Sequence, residues 1–203
     1  MKAAVIGAAM AGLLVAGAAQ AQEGTWLVRG RVLSLTANNG NSPEQSLGKV
    51  EVSNKVLPDL DISYFFSKNI AAELVLTVPQ THDVKLGGNK IGTVKELPPT
   101  LTVQYHFLPD GPVDPYLGAG INYTRFWGAD FDPAVSSFGL TVKNQSVGFA
   151  VQAGLDYKID KNWSLNFDVK YAEIKTDVNT NGTKFTELKI SPVLVGIGAG
   201  YRF

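Results

Sequence analysis

Residues 193–203 read VLVGIGAGYRF, and this stretch decides the fold. Every second residue is apolar, whereas the residues between them are small or polar apart from Leu194. A period of two indicates a β-strand, because successive side chains on a strand point to opposite faces. The apolar face ends in two aromatic residues, Tyr201 and Phe203, as expected for a strand whose outer face contacts lipid. We therefore expect the apolar face to point outwards and the small face inwards.

The amino terminus predicts a secreted protein. A basic start is followed by an apolar run over residues 3–17, and Ala19 and Ala21 frame a small-residue cleavage site. This order is typical of a secretory signal peptide. We place the cut after Ala21, so that 1–21 is removed and 22–203 is the mature barrel domain. The alternative is a transmembrane helix, but the run is shorter than the ~20 residues that such a helix needs.

Composition argues against several classes of protein. Lys plus Arg and Asp plus Glu number 18 each, so no basic surplus suggests a nucleic-acid partner. The chain has no cysteine and hence no disulfide framework. Neither His82 nor His106 has the spacing of a zinc site or of a nucleophile with its base. We expect no cofactor, no metal and no enzymatic activity, with His106 hydrogen-bonded inside the fold.

Eight segments of the mature chain show the same period of two. They cover residues 26–33, 59–66, 70–77, 100–107, 117–124, 147–157, 163–171 and 193–203. An even number of strands lets a barrel close with both chain ends on one side, and closure leaves no strand edge exposed to lipid. The sequence therefore predicts an all-β, eight-stranded antiparallel up-and-down transmembrane β-barrel.

The connections between these strands alternate in length. Short turns rich in Pro, Asp, Gly and Asn lie at 67–69, 108–113 and 160–162. Long polar connections lie near 36–57, 78–99, 126–146 and 175–187. Short periplasmic turns and long extracellular loops are typical of bacterial outer-membrane barrels, so we expect both termini in the periplasm. We also expect a short helix in the third long connection, with Asp132 as N-cap, Pro133 as its first residue and Gly139 as its stop.

Aromatic residues predict two girdles at the membrane interfaces. Those near the short turns are Trp26, Phe66, Phe107, Tyr116, Tyr157, Trp163, Tyr201 and Phe203. Those near the other rim are Tyr123, Phe126, Trp127, Phe149 and Tyr171. A soluble lipocalin-like barrel or a sandwich, with its apolar faces inward, is the alternative fold. The signal peptide, the unequal connections and the aromatic placement together favour the membrane.

Several stretches resemble the outer membrane protein W (OmpW) family, which includes alkane-uptake outer-membrane proteins. They are LPPTL at 97–101, VDPYLGAGINYT at 113–124 and GAGYRF at 198–203. The resemblance covers essentially the whole mature chain. It implies an eight-stranded barrel with a narrow, partly hydrophobic lumen that passes small apolar compounds, with sideways release through the wall as one route. Family members can carry an aromatic residue inside the seventh strand, where this chain has Lys170, so a gate built on that aromatic is not implied.

Charged residues of both signs occupy predicted inward positions. Eight strands enclose a lumen that side chains can largely fill, unlike the water channel of larger porins. Buried charges are costly unless they are paired, so we predict that these residues neutralise one another and close the lower lumen. They are Arg29, Arg31, Asp59, Asp61, Glu73, Asp156, Asp168, Lys170 and Arg202.

Apolar inward positions near the long connections are predicted to form a funnel. An apolar pocket with few polar groups suits a hydrophobic ligand, although packing beneath the loops explains any one of these residues equally well. The inward strand positions are Leu33, Leu35, Val75 and Thr77, and the third long connection is expected to add Phe126, Trp127 and Phe138.

The favoured hypothesis for function is passive uptake of small hydrophobic molecules across the outer membrane. The alternative is a surface receptor or adhesin that transports nothing and acts through its long loops, and a lipid-modifying enzyme ranks last. Expected partners are outer-membrane lipid, small hydrophobic solutes and the outer-membrane barrel-assembly machinery, for which Tyr201 and Phe203 would be the signal. The sequence makes no prediction of oligomeric state.

Overall fold

The computed structural model of the chain describes residues 26–42 and 48–203. The predicted signal peptide lies outside these residues. The described ranges contain fifteen strands. In chain order they are β1 (Trp26–Thr36), β2 (Gly40–Ser42), β3 (Val50–Val52), β4 (Lys55–Phe65), β5 (Ile70–Thr77), β6 (Gln80–Leu86), β7 (Asn89–Leu97), β8 (Thr100–His106), β9 (Val113–Phe131), β10 (Leu140–Val142), β11 (Gln145–Lys158), β12 (Trp163–Ala172), β13 (Lys175–Thr180), β14 (Thr183–Lys189) and β15 (Val193–Arg202).

Eight of these strands form a closed barrel in the described part of the chain. The order around the wall is β1-β4-β5-β8-β9-β11-β12-β15, every neighbouring pair is antiparallel, and β15 returns to β1. The closing register runs from Leu27 opposite Arg202 to Thr36 opposite Val193. Each of the eight predicted segments falls on one barrel strand, so the predicted fold class is confirmed.

The apolar faces of the barrel strands point outwards. Ile121 and Ile197 are 60% and 66% exposed, whereas Arg29, Asp61 and Glu73 on the inner face are 0% exposed. Exposed hydrocarbon over a buried charged interior is the arrangement of a membrane barrel and is the reverse of a soluble one. This orientation excludes the lipocalin-like alternative.

The long connections are not irregular loops, because most of their residues form further strands. The end of β9 continues beyond the barrel and pairs with β7, to which β6 and β3 are added in turn. A separate four-stranded sheet has the order β10-β13-β14-β2. We call these strands, with the end of β9, the hairpin extension, and we call its end of the barrel the upper end. Short strands within the long connections were not predicted.

Apolar side chains join the two sheets of the hairpin extension. Val84 and Val94 from one sheet and Val178 and Leu188 from the other are all buried in one cluster. Burial of apolar area is the main favourable contribution to such packing. The connections are therefore folded against one another above the barrel mouth.

A 3₁₀-helix spans Pro133–Phe138, as the sequence predicted for the third connection. The N–H of Val135 donates to the carbonyl of Asp132 at 2.9 Å. The helix ends at Phe138, and the next residue, Gly139, has a φ of +53°, which favours glycine. Within the described residues, no helix has the length and apolar character required to span a membrane.

The lower rim carries the predicted aromatic girdle. Trp26 lies edge-on to Tyr64 with ring centroids 4.7 Å apart, and Trp163 lies edge-on to Tyr201 at 5.0 Å. The assignment of Tyr116 and Phe126 to the girdles was wrong, because these side chains are 1% and 2% exposed and point inwards. Tyr116 occupies an even-numbered position of β9 and therefore shares the inner face with its even-numbered neighbours.

Candidate functional site

Arg29 crosses the lumen of the barrel. It lies on β1 opposite Asp61, yet its Nε and Nη2 donate to the two carboxylate oxygens of Asp156 on β11, at 3.1 and 2.6 Å. Its Nη1 donates to Asp61 at 3.1 Å and to the Ser63 hydroxyl at 3.0 Å. Bidentate arginine–carboxylate pairs are among the strongest hydrogen-bonded pairs in proteins. Because β1 and β11 are not neighbours in the wall, these bonds fill the lumen rather than follow its surface.

Arg31 forms the next layer above Arg29. Its Nε and Nη2 donate to one oxygen of Asp59, at 3.0 and 2.7 Å. Its Nη2 is also 3.0 Å from Asp61, so Asp61 bridges the two arginines. Its Nη1 donates to the Asn166 side-chain oxygen at 3.4 Å. Each arginine thus faces three carboxylates, because Arg29 also lies 3.6 Å from Glu73 and Arg31 lies 3.6 Å from Asp168.

A lysine on β12 completes the network of ion pairs in the lumen. Lys170 on β12 donates to Glu73 on β5 at 2.6 Å, and Gln104 donates to the other oxygen of Glu73 at 2.8 Å. The Tyr116 hydroxyl donates to Asp168 at 3.0 Å. We call the following residues the charge plug: Arg29, Arg31, Lys170, Asp59, Asp61, Glu73, Asp156 and Asp168.

The charge plug contains eight of the nine charged residues named from the sequence. The ninth, Arg202, has its guanidinium over the ring of Phe65, 4.0 Å from the centroid. Sequence reasoning missed Asp114, which is buried and lies 3.0 Å from His106 Nδ1. The signal for Asp114 was its parity with the inward residues of β9. His106 lies inside the lumen, as expected, and its Nε2 is 3.2 Å from the Gln104 side-chain oxygen.

A small cavity lies directly above the charge plug, and we call it the lower cavity. Leu33, Leu35, Val75 and Thr77 line it together with Leu194, and its volume is about 20 Å³. Arg31, Asp168 and Lys170 of the charge plug also line it. Four of the predicted funnel residues are therefore brought together. The side chains come from β1, β5 and β15, which place alternate residues on the inner face.

A second cavity lies inside the hairpin extension, and we call it the upper cavity. It has a volume of about 30 Å³ and is lined by apolar side chains apart from Thr176. Phe126 lines it. Trp127 and Phe138 do not, since they are 38% and 47% exposed. The prediction was wrong for Trp127 because consecutive residues of β9 point to opposite faces, and for Phe138 because its 3₁₀-helix leaves the side chain at the surface.

A buried polar pair lies on the wall of the hairpin extension. His82 Nδ1 is 2.7 Å from the carbonyl of Ser53, and His82 Nε2 is 3.1 Å from Glu96. Burial by itself lowers the pKa of His82, but the hydrogen bond and charge of Glu96 outweigh burial and, with the Ser53 carbonyl, raise the pKa above its ordinary value. The pair ties the connection before β4 to the β6–β7 hairpin.

Two asparagines close the seam between the two sheets of the hairpin extension. The Asn39 side chain accepts from the N–H of Val52 at 2.9 Å and donates to its carbonyl at 3.0 Å. Asn41 makes the same two bonds with Val50, at 3.0 and 2.9 Å. Side-chain amides thus replace a backbone ladder along this edge, and we call this line of contact the asparagine seam.

Acidic and histidine side chains do not form a metal centre in the described ranges. Among residues 26–42 and 48–203, no group of three or more His, Cys, Asp or Glu side chains is placed to hold a metal ion. The carboxylates of the charge plug instead face guanidinium and ammonium groups. The arrangement can therefore neutralise charge in the lumen and offer apolar space above it.

Comparison with known proteins finds relatives along nearly the whole chain. A sequence model of the OmpW family matches residues 22–203. The outer-membrane protein y4mB of Sinorhizobium fredii is 41% identical over 210 residues, covering 97% of this chain and 90% of that protein. Outer membrane protein AlkL of Ectopseudomonas oleovorans is 35% identical over 164 residues, covering 76% of this chain and 69% of AlkL. The crystal structure of the outer membrane protein OprG from Pseudomonas aeruginosa has a TM-score of 0.78 at 27% identity, covering 90% of this chain and 97% of OprG.

Proposed function

Since the chain belongs to the OmpW family and is an outer-membrane β-barrel, we propose that it mediates passive uptake of small hydrophobic molecules. The observation that carries the proposal is the order of the interior along the barrel axis. The upper cavity and the lower cavity are mostly apolar, and the charge plug lies beneath them. Transfer of an apolar molecule from water into the cavities is favourable. Its further movement past buried ion pairs is unfavourable.

The proposed route leaves the barrel sideways. In the described residues, the pairing of β5 with β8 ends at Val75 opposite Thr100. Pro98 and Pro99 come directly before β8 and have no N–H to donate. Thr77 and Pro98 also line the lower cavity. This weakly bonded part of the wall supports release of the solute into the membrane, because the charge plug blocks the axial path.

The proposal includes the orientation of the barrel. We place the short turns and both termini in the periplasm and the hairpin extension outside the cell, as is general for outer-membrane barrels. The solute would then meet the upper cavity first. In this proposal, the difference in solute concentration across the membrane drives the flow.

Uptake by whole cells tests the proposal. Cells with and without the protein would receive an alkane or a small aromatic hydrocarbon at limiting concentration, and cells with the protein are expected to take it up faster. Equal rates would contradict the proposal and favour the surface-receptor alternative.

Two adjacent residues offer a matched pair of variants for the same assay. Phe126→Gln places a polar group in the wall of the upper cavity, and Trp127→Gln makes the same change on the outer face of the same strand. We expect uptake to fall several-fold with Phe126→Gln and to stay near the wild-type rate with Trp127→Gln, once the amount of folded protein in the membrane is matched. An equal fall in both would contradict a route through the upper cavity.

A further inference from the structure

Gln80 and Glu96 carry buried polar atoms that lack a hydrogen-bond partner within the described residues. These atoms are Nε2 and Oε1 of Gln80 and Oε2 of Glu96. Gln80 is 5% exposed and Glu96 is 1% exposed. Buried polar groups are nearly always bonded, because an unsatisfied one loses its hydration without compensation. A side-chain amide with both of its groups unsatisfied therefore requires a physical explanation.

Along the chain, the two residues lie between residues that line the upper cavity and residues that line the lower cavity. Gln80 on β6 is directly opposite Glu96 on β7. On the same inner face, Val94 comes two residues before Glu96 and lines the upper cavity. Thr77 and Pro98 lie beyond the pair along the chain and line the lower cavity. The proposed route from the upper cavity to the lower cavity therefore runs along this part of β6 and β7.

The hydrogen bonds of His82 determine which oxygen of Glu96 is available to a solute. The Ser53 carbonyl can only accept, so His82 Nδ1 carries a proton. His82 Nε2 and Glu96 Oε1 then share a second proton. The other carboxylate oxygen of Glu96, Oε2, makes no hydrogen bond within the described residues and can accept one. Gln80 supplies one further acceptor and a donor, so the unsatisfied set suits a group that both donates and accepts.

We propose that Gln80 and Glu96 form a polar subsite for the hydroxyl group of an otherwise apolar solute, of the class of the aliphatic alcohols and phenols. A hydroxyl donates to Glu96 or to the Gln80 carbonyl and accepts from the Gln80 amide nitrogen. A plain hydrocarbon satisfies none of these groups, and a carboxylate would be repelled by Glu96. The inference rests on the proposed function, since the hydrocarbon part of the solute must lie in the cavities.

Binding requires the cavities to widen. Their volumes of about 30 and 20 Å³ leave room for one or two water molecules each, since one water needs roughly 10–15 Å³ of such space. The sheets of the hairpin extension meet through apolar side chains and the asparagine seam. Separation of these sheets gives the solute room without breaking a barrel strand pair.

Binding of a matched pair of probes tests the subsite. Naphthol and naphthalene, which differ by one hydroxyl, would be titrated into the full-length mature barrel in lipid nanodiscs, with empty nanodiscs as the correction for partitioning. We expect the barrel to prefer naphthol by roughly 3- to 10-fold, which corresponds to about one net hydrogen bond. Gln80→Leu is expected to abolish this preference.

Gln152 provides the matched control variant. Its side-chain amide is also buried with both groups unsatisfied, but it lies opposite Lys170, beside the charge plug. Gln152→Leu removes the same chemical groups and is expected to leave the naphthol preference unchanged.

A stability measurement separates loss of the subsite from loss of the fold. Gln80→Leu removes an unsatisfied amide, so the variant is expected to melt at or above the wild-type temperature. If leucine does not fit, Gln80→Met tests the same point with an unbranched chain. An unchanged naphthol preference in the Gln80 variants would overturn the subsite, as would equal binding of both probes by the wild type. Binding of neither probe by the wild type would instead overturn the proposed function.

Discussion

Arg29 reaches from β1 to Asp156 across the lumen, so its removal takes the guanidinium away from both carboxylate oxygens of Asp156, whereas Asp61 keeps its contact with Arg31. We predict that Arg29→Met lowers the free energy of unfolding by about 3–5 kcal/mol, the usual effect of removing one partner of a buried ion pair. Urea unfolding of the barrel in lipid vesicles measures this change. Lys68→Met is the control, because Lys68 and Asp110 form an exposed pair that is screened by solvent. A similar loss in both variants would contradict the role given to the charge plug.

His82 makes the stability of the hairpin extension depend on pH. Its pKa is raised in the folded state by Glu96, after the opposing effect of burial. The resulting stability is fully present below the ordinary pKa of 6.5 and is lost as the pH rises through the raised folded value. We expect amide hydrogen exchange in β6 and β7, corrected for its intrinsic pH dependence, to become faster across this window. His82→Phe is expected to remove the pH dependence, and an identical profile in that variant would refute the assignment.

Single residues also show where sequence reasoning reached its limit. Alternation placed Arg29 and Asp61 on the inner face correctly, because parity on a strand fixes the face. Alternation could not find the pairing of Arg29 with Asp156, since that bond joins positions 127 residues apart on strands that are not neighbours. Trp127 was misplaced because it was expected in a loop, whereas it lies on β9, where its parity turns the side chain outwards.

The β-strands of the hairpin extension are the elements that the sequence did not predict. Several of their segments are rich in polar residues, as in β13 (Lys175–Thr180), and polar residues at a period of two give a weak signal. Barrel strands such as β8 (Thr100–His106) were found because lipid imposes an apolar outer face. The solvent around the upper end imposes no such pattern.

The asparagine seam predicts a site of opening between elements. Asn39→Ala combined with Asn41→Ala removes all four side-chain bonds to Val50 and Val52. We expect the N–H groups of Val50 and Val52 to exchange with solvent at least tenfold faster, because each loses its acceptor (a tenfold change corresponds to about 1.4 kcal/mol). Uptake of hydrophobic solutes should be unchanged or faster. Unchanged exchange would show that the sheets are held together by the apolar cluster alone.

At the scale of the whole molecule, the charge plug crosses the lumen of the barrel and the hairpin extension lies above its mouth. Bonds of the charge plug run from β1 to β11 and from β5 to β12. We therefore predict that liposomes containing the purified barrel exclude a hydrophilic disaccharide in an osmotic swelling assay. A general porin in the same lipid is the positive control. Swelling at a rate near that of the porin would contradict a lumen filled by side chains.

The overall architecture was more predictable than the site. Strand number, antiparallel order and lipid-facing surface follow from periodicity and from the need to satisfy every backbone group in lipid. The cavities depend instead on how separate hairpins pack above the mouth of the barrel. No local sequence pattern predicts that Val94 and Val178 belong to one buried cluster. Gln80 likewise could not be predicted as a site residue from the sequence, because only the packed structure shows that its side-chain amide lacks hydrogen-bond partners.

The charge plug also constrains the order in which the molecule is made. Two of its ion pairs join residues that are far apart in the sequence: Lys170 and Glu73 are separated by 97 positions, and Arg29 and Asp156 by 127. These two pairs can form only after β11 and β12 have joined the barrel wall that contains β1 and β5. We therefore expect the axis of the barrel to stay hydrated during assembly until these strands are in place.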